Sequence, residues 1–258
     1  MTMPQNKKIA FHTLGCKVNQ YETQAMRRLM EEQGYETAEY MPGNPDIGDG
    51  VIVINSCTVT GESDRKLRQL LRRCRRENPR AILVLTGCMP QAFPEIADTF
   101  TEADIVLGNA SRSALPAHIH KYMALGQRIV DVTPHGQTFE SLRIDEFQGR
   151  TRAFVKIEDG CNNFCSYCII PYARGPVRSL PLETAAAQAR GLAGEGDREI
   201  VVTGIEVASW GWDFKDGSRL PQLIAALCEA VPEVRVRLGS LEPRVIDAEF
   251  CRLAVLCL

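Results

Sequence analysis

Cys161, Cys165 and Cys168 stand within eight residues, spaced C-x3-C-x2-C, in the run Glu158-Asp159-Gly160-Cys161-Asn162-Asn163-Phe164-Cys165-Ser166-Tyr167-Cys168. Thiolates are the ligands that iron–sulfur clusters take, and a short loop carrying three of them can wrap one face of a cube. A cube held wholly by protein takes four thiolates, so three leave one iron open to a non-protein ligand. The alternative is zinc, which uses four ligands, often in two C-x2-C halves. No second half lies nearby. Three inert core thiols are a further alternative, and the loop-like flanks speak against it.

A second trio is spread along the first half of the chain. Residues 8–14, 51–54 and 81–85 read as buried strands, and they run into Gly15-Cys16, Asn55-Ser56-Cys57 and Thr86-Gly87-Cys88. Helices are expected between them: one from a cap at Asn19 to a stop at Gly34, one over 62–77 burying Leu67, Leu70, Leu71 and Cys74, and one over 115–125. A strand at 105–107 and a last element at 128–132 complete the series. Alternating strand and helix imply a doubly wound parallel sheet. Such sheets bind ligands outside the C-terminal ends of their strands, which is where Cys16, Cys57 and Cys88 each fall. A single cysteine is more often a small buried hydrophobe. Three at one topological position argue for a site.

Gly15-Cys16-Lys17-Val18-Asn19-Gln20-Tyr21-Glu22, Asn55-Ser56-Cys57-Thr58-Val59-Thr60, Thr86-Gly87-Cys88 and the C-x3-C-x2-C run together resemble the radical S-adenosylmethionine methylthiotransferases. The wording of the first motif is similar to the branch that acts on N6-threonylcarbamoyladenosine in tRNA. It is less like the branches for isopentenyladenosine or a ribosomal-protein aspartate. The resemblance implies two [4Fe-4S] clusters, an auxiliary one on Cys16, Cys57 and Cys88 and one on Cys161, Cys165 and Cys168 that binds S-adenosylmethionine through its open iron. It implies that one S-adenosylmethionine supplies a 5′-deoxyadenosyl radical to take the C2 hydrogen of the base and a second supplies the methyl group. That bond is out of reach of side-chain acid–base chemistry, so a cofactor radical is required. Partners implied are the tRNA anticodon loop and a low-potential electron donor such as flavodoxin or ferredoxin. A non-catalytic iron–sulfur carrier or sensor is the rival from another class.

After a Pro- and Gly-bearing connection over 134–150, the second domain is expected over 151–258, with the first over 1–133. Strands at 153–157, 199–203 and 234–238 alternate with helices at 182–192 and 220–230, and Pro171 to Pro176 reads as a rigid turn. This is a βα barrel series with working residues at strand ends, and it covers about the first half of a radical S-adenosylmethionine partial barrel. The chain therefore reads as C-terminally truncated against that family. Tyr167 is placed by the resemblance against an adenine. Gly204 and Glu206 lie in the loop after the second strand, where Glu206 departs from the family wording. Ser240 and Glu242 follow the third strand, where they could hydrogen-bond a ribose or an amino group.

Composition is that of an ordinary globular chain: 258 residues, 45% hydrophobic and 24% charged, with net charge −2. No overall basic excess announces a nucleic-acid partner, so RNA binding needs a local patch. The basic series Arg65, Lys66, Arg68, Arg72, Arg73, Arg75, Arg76 and Arg80 is either that patch or a solvated helix face. The first eight residues lack the apolar core of a signal peptide. No apolar run reaches the roughly 20 residues of a membrane span. Ten cysteines without such a signal point to a reducing cytoplasm. Cys74, Cys228, Cys251 and Cys257 sit in apolar helical patterns and read as packing residues. His12, His118, His120 and His135 have no evident ligand partners.

Overall fold

The computed structural model describes residues 7–43, 47–140 and 152–255. They divide into two compact units, Met1–His135 with Cys165–Arg174, and Gly136–Phe164 with Gly175–Leu258.

The first unit is built on β1 (Lys8–Thr13), α1 (Lys17–Glu32), β2 (Glu36–Glu39), β3 (Val51–Ser56), α2 (Gly61–Glu77), β4 (Ile82–Gly87), α3 (Cys88–Ala92), β5 (Ile105–Leu107), α4 (Leu115–Leu125) and β6 (Ile129–Asp131). Its six strands lie in the order β2-β1-β3-β4-β5-β6, every neighbouring pair parallel. The side-chain period of two divides the core. Val51, Val53, Ile82 and Val84 face Met26 and Met30 of α1 and Leu115 and Ile119 of α4. Ile52, Ile54, Leu83 and Leu85 face Leu67, Leu70, Leu71 and Cys74 of α2. Both sheet faces are thus covered, which is why the strands read as unbroken apolar runs. Thr60 caps α2 by accepting from the Ser63 N–H, with Glu62 and Asp64 in the first turn and Arg75 and Arg76 in the last.

Three local readings change. Cys16, not Asn19, is the N-cap position of α1, and Asn19 is buried one turn inside the helix. Strand β2 has no counterpart in the sequence reading, because Glu36-Thr37-Ala38-Glu39 is an edge strand without an apolar run. The stretch read as a rigid turn contains α5 (Ile170–Arg174), which belongs to the first unit. Pro171 is compatible with it because the first turn of a helix needs no N–H bond there.

The second unit comprises β7 (Arg152–Lys156), β8 (Glu158–Asp159), β9 (Arg178–Ser179), α6 (Leu182–Gly194), β10 (Glu199–Thr203), α7 (Leu220–Ala230), β11 (Arg235–Leu238) and α8 (Ala248–Val255). Its main sheet has the order β11-β10-β7 and is parallel throughout, so each strand returns through a helix. Ala153, Phe154, Val155, Ile200, Val201 and Val202 are buried along it. Strands β8 and β9 form a separate antiparallel pair.

Candidate functional site

In the first unit, β1, β3 and β4 end side by side, and the residues that follow them converge. In a sheet with β2 outside β1, the chain reverses its winding between β1 and β3, the crevice such folds use for ligands. Cys16 and Cys57 emerge on either side of that crevice, and Cys88 emerges from the next strand. Gly15 makes the approach possible: at φ +125 it has a conformation that favours glycine, and a Cβ there would meet the Cys57 Cβ at 2.8 Å. Gly87, at φ +106, would place a Cβ 2.3 Å from the Ser56 carbonyl oxygen.

All three are free thiols, with Cys57 and Cys88 buried and Cys16 exposed. Burial pushes the Cys57 thiol above its ordinary pKa, and the neighbouring Cys88 and Cys16 push in the same direction, while Arg174 acts against them. The three sulfurs therefore share one electrostatic neighbourhood. Among the described residues no three His, Cys, Asp or Glu groups are spaced to hold a single metal ion. The polar surroundings are ordered. The Cys16 thiol donates to Asn19 Oδ1 at 3.3 Å, and Asn109 Nδ2 lies 3.7 Å from Cys88 Sγ. Asn19 Nδ2 in turn donates to the Ser56 carbonyl at 2.9 Å. Free thiols beside glycines at three strand ends fit the donor set of a cluster.

The C-x3-C-x2-C run leaves the second unit through a pinned neck. Glu158 and Asp159 pair with Ser179 and Arg178. Gly160 sits at φ +93, where a Cβ would stand 2.0 Å from the Pro176 carbonyl oxygen. The Cys161 N–H donates to the Gly175 carbonyl at 3.0 Å. Beneath the neck, Lys156 Nζ meets Asp159 Oδ2 at 2.6 Å, with Arg178 3.6 Å from the same oxygen, and all three side chains are buried. Residues Cys165–Arg174 cluster with the first unit. There the Cys168 N–H closes a turn on the Cys165 carbonyl at 2.9 Å, and the Tyr167 ring is 89% exposed.

At the strand ends of the second unit lies a cavity of about 460 Å³ whose lining includes Asn163, Glu206, Trp212, Arg219 and Glu242. It brings together Glu206, after β10, and Glu242, after β11, from loops far apart in sequence. Gly204 backs this arrangement, with its Cα packed so that a Cβ would lie 2.9 Å from Glu158 Oε2. Ser240 is exposed.

Glu158 is a residue that sequence reasoning passed over. Its Oε2 accepts the N–H groups of Ile205 at 2.9 Å and Glu206 at 2.7 Å, which fixes the loop carrying Glu206. Burial raises its carboxyl well above the usual range, the two backbone donors pull against that, and Asp159 adds to it. The only sequence sign was a second carboxylate beside Asp159 directly before the cysteine loop.

Much of the basic series on and just after α2 is matched by acids of its own unit. Arg65 and Lys66 meet Glu62, Arg72 meets Glu102, Arg73 meets Glu77, Arg75 meets Asp104 and Arg80 meets Asp49. Arg68 lies over the Phe100 ring. These ion pairs are what a solvated face shows, and Arg76 stays exposed beside them. Of the remaining cysteines, Cys74 is buried, Cys228 is half-buried and Cys251 is exposed, so packing accounts for the first far better than for the last. Cys257 lies outside the described residues.

Comparison with known proteins matches two successive stretches of the chain. Residues 8–108 match the uncharacterized protein family UPF0004, and residues 155–253 match the Radical SAM superfamily. The chain is 41% identical over 244 residues to the threonylcarbamoyladenosine tRNA methylthiotransferase MtaB of Bacillus subtilis, covering 93% of this chain and 53% of that one. It is 37% identical over 253 residues to the MtaB of Aquifex aeolicus, covering 96% and 59%. The chain thus joins a UPF0004 region to a Radical SAM region, in a sequence similar to methylthiotransferases. It spans about half the length of these curated relatives. In fold it is similar to the radical S-adenosylmethionine methyltransferase TsrM of Kitasatospora setae, with TM-score 0.66, 14% identity and coverage of 98% of this chain and 58% of that one.

Proposed function

We propose that the protein is a radical S-adenosylmethionine enzyme of the cytoplasm that places a methylthio group on C2 of N6-threonylcarbamoyladenosine, beside the anticodon of tRNA. The observation that carries this reading is the convergence of Cys16, Cys57 and Cys88 at three parallel strand ends, a second three-thiol site beyond the C-x3-C-x2-C loop. An electron carrier would have no use for three-ligand sites that each leave an iron open. The relatives named as threonylcarbamoyladenosine tRNA methylthiotransferases support the choice of acceptor. No described helix is long and apolar enough to cross a membrane.

In this reading Cys16, Cys57 and Cys88 hold one [4Fe-4S] cluster, and Cys161, Cys165 and Cys168 hold the other. When bound, the clusters and S-adenosylmethionine supply the radical, the sulfur and the methyl group. The chain supplies position and charge. Each ligating thiol gives up its proton, and at Cys57 burial works against the anion. Glu158 holds the loop of Glu206 by two backbone bonds. Glu206 and Glu242 then present acceptors to the ammonium and hydroxyl donors of an adenosine-bearing cofactor in the cavity they line. Tyr167 offers an exposed ring for stacking on the adenine or the base. Electrons come from a low-potential flavodoxin or ferredoxin.

Nucleoside analysis of tRNA from a deletion strain tests the assignment. Loss of the methylthio form of threonylcarbamoyladenosine is expected, with the unthiolated nucleoside accumulating. Loss of the isopentenyladenosine derivative instead, or an unchanged tRNA with an altered ribosomal protein, overturns it. Serine at Cys16, Cys57 and Cys88 together should abolish the modification. An anaerobically reconstituted protein that forms no 5′-deoxyadenosine with reductant and S-adenosylmethionine would leave the carrier reading in place.

A further inference from the structure

Behind the three thiols of the first unit lies a buried ionic group that the proposed chemistry does not use. Arg174, the last residue of α5, is fully buried, as are Glu22 of α1 and Arg112. Arg174 Nη1 meets Glu22 Oε1, and Arg112 Nη1 meets the same oxygen at 2.8 Å. Arg174 Nη2 also donates to Asn19 Oδ1 at 3.3 Å, the atom that accepts the Cys16 thiol. Arg112 donates to Asn109 Oδ1 at 3.0 Å, and Asn109 Nδ2 reaches both Cys88 Sγ and, at 2.8 Å, the Ala173 carbonyl. One connected network thus runs from Cys16 through Asn19, Arg174, Glu22, Arg112 and Asn109 to Cys88.

Such a group is a poor device for stability alone, since buried ions are often replaced by packed apolar residues with no loss. Its position explains it better. Three ligating thiolates bring negative charge to a crevice in which Cys57 and Cys88 are buried, and there a nearby cation is worth more than in water. Ligation also takes the proton that Cys16 shares with Asn19 Oδ1, and Arg174 keeps that oxygen bonded. The potential of a cluster responds to net charge and hydrogen bonding around it.

We propose that Arg174 is the positioning residue of the Cys16, Cys57 and Cys88 site, holding a fixed positive charge behind the three thiols and the side chain of Asn19 in place, with Glu22 moderating that charge. The assignment rests on the cluster-binding reading of those cysteines.

The test uses the whole chain with Cys161→Ala, which removes one thiol of the other motif and leaves Cys165–Arg174 unaltered. After anaerobic reconstitution about four irons per chain are expected. Redox titration followed by electron paramagnetic resonance then reads the potential of this one cluster. Arg174→Gln should move it to a more negative value, Glu22→Gln to a more positive one, and Arg174→Lys should stay near the parent. Failure of the parent to load iron overturns the cluster reading itself. A loaded cluster whose potential is the same in all variants overturns only the role of Arg174, as does a shift of Glu22→Gln in the negative direction. Should Arg174→Gln load no cluster, Glu22→Gln decides by the same criterion. Loss of loading in both Arg174→Gln and Arg174→Lys overturns the charge assignment, because shape would then be what the site requires.

Discussion

Gly160 joins the neck of the cysteine loop at a point where no side chain fits. The nearest obstacle to a Cβ is a backbone carbonyl, which cannot swing aside as a long side chain can, and the φ of +93 adds strain for any other residue. Gly160→Ala is expected to cost at least about 2 kcal/mol, visible as a lowered thermal midpoint, with loss of iron loading at Cys161. A midpoint equal to the parent's would show that the neck opens freely. Glu158 offers a second test at this scale. Its raised carboxyl holds a proton in the folded protein at pH values where the unfolded chain has released it. The sign follows directly: stability is full below the ordinary carboxylate range and falls as pH rises through it toward the raised value. Glu158→Gln removes that slope while keeping an oxygen for the Ile205 and Glu206 N–H groups. Denaturant midpoints measured across this pH range should be flatter in the variant. Parallel curves would mean that Glu158 titrates normally.

At the scale of elements, the parts of the chain with strong periodicity were legible and those held by distant partners were not. Strands β3 and β4 announce themselves as apolar runs because helices cover both faces. Helix α2 was readable from its apolar stripe, and its cap is testable: Thr60→Ala should cost about 1 kcal/mol, read by denaturant unfolding. Asn19 looked like a cap because asparagine favours that place. Apart from Cys16, its partners Asn55, Ser56 and Arg174 lie more than thirty residues away and leave no local trace. The same holds for α5, where two prolines and a glycine in six residues read as a turn. Packing within the first unit makes it a short helix. Strand β2 is polar because it is an edge, and an edge strand shows no run to read.

For the molecule as a whole, the six cysteines proposed as cluster ligands stand out by motif spacing and strand position, whereas the Glu22 and Arg174 pair, 152 positions apart, leaves no such sign. Iron content gives the global check on both sites. About eight irons per chain are expected for two cubes, and about four after serine replaces Cys16, Cys57 and Cys88. A value that does not change on that replacement would remove the second site.

The backbone passes from one compact unit to the other three times, after His135, after Phe164 and after Arg174. No single cut can therefore yield two self-sufficient pieces. A fragment ending at residue 135 would abandon Glu22 without its Arg174 partner, and a synthetic peptide of residues 165–174 supplied in trans should raise its melting point. Shuffling the two halves between relatives would have to carry those ten residues along with the half they serve rather than the half they are written in.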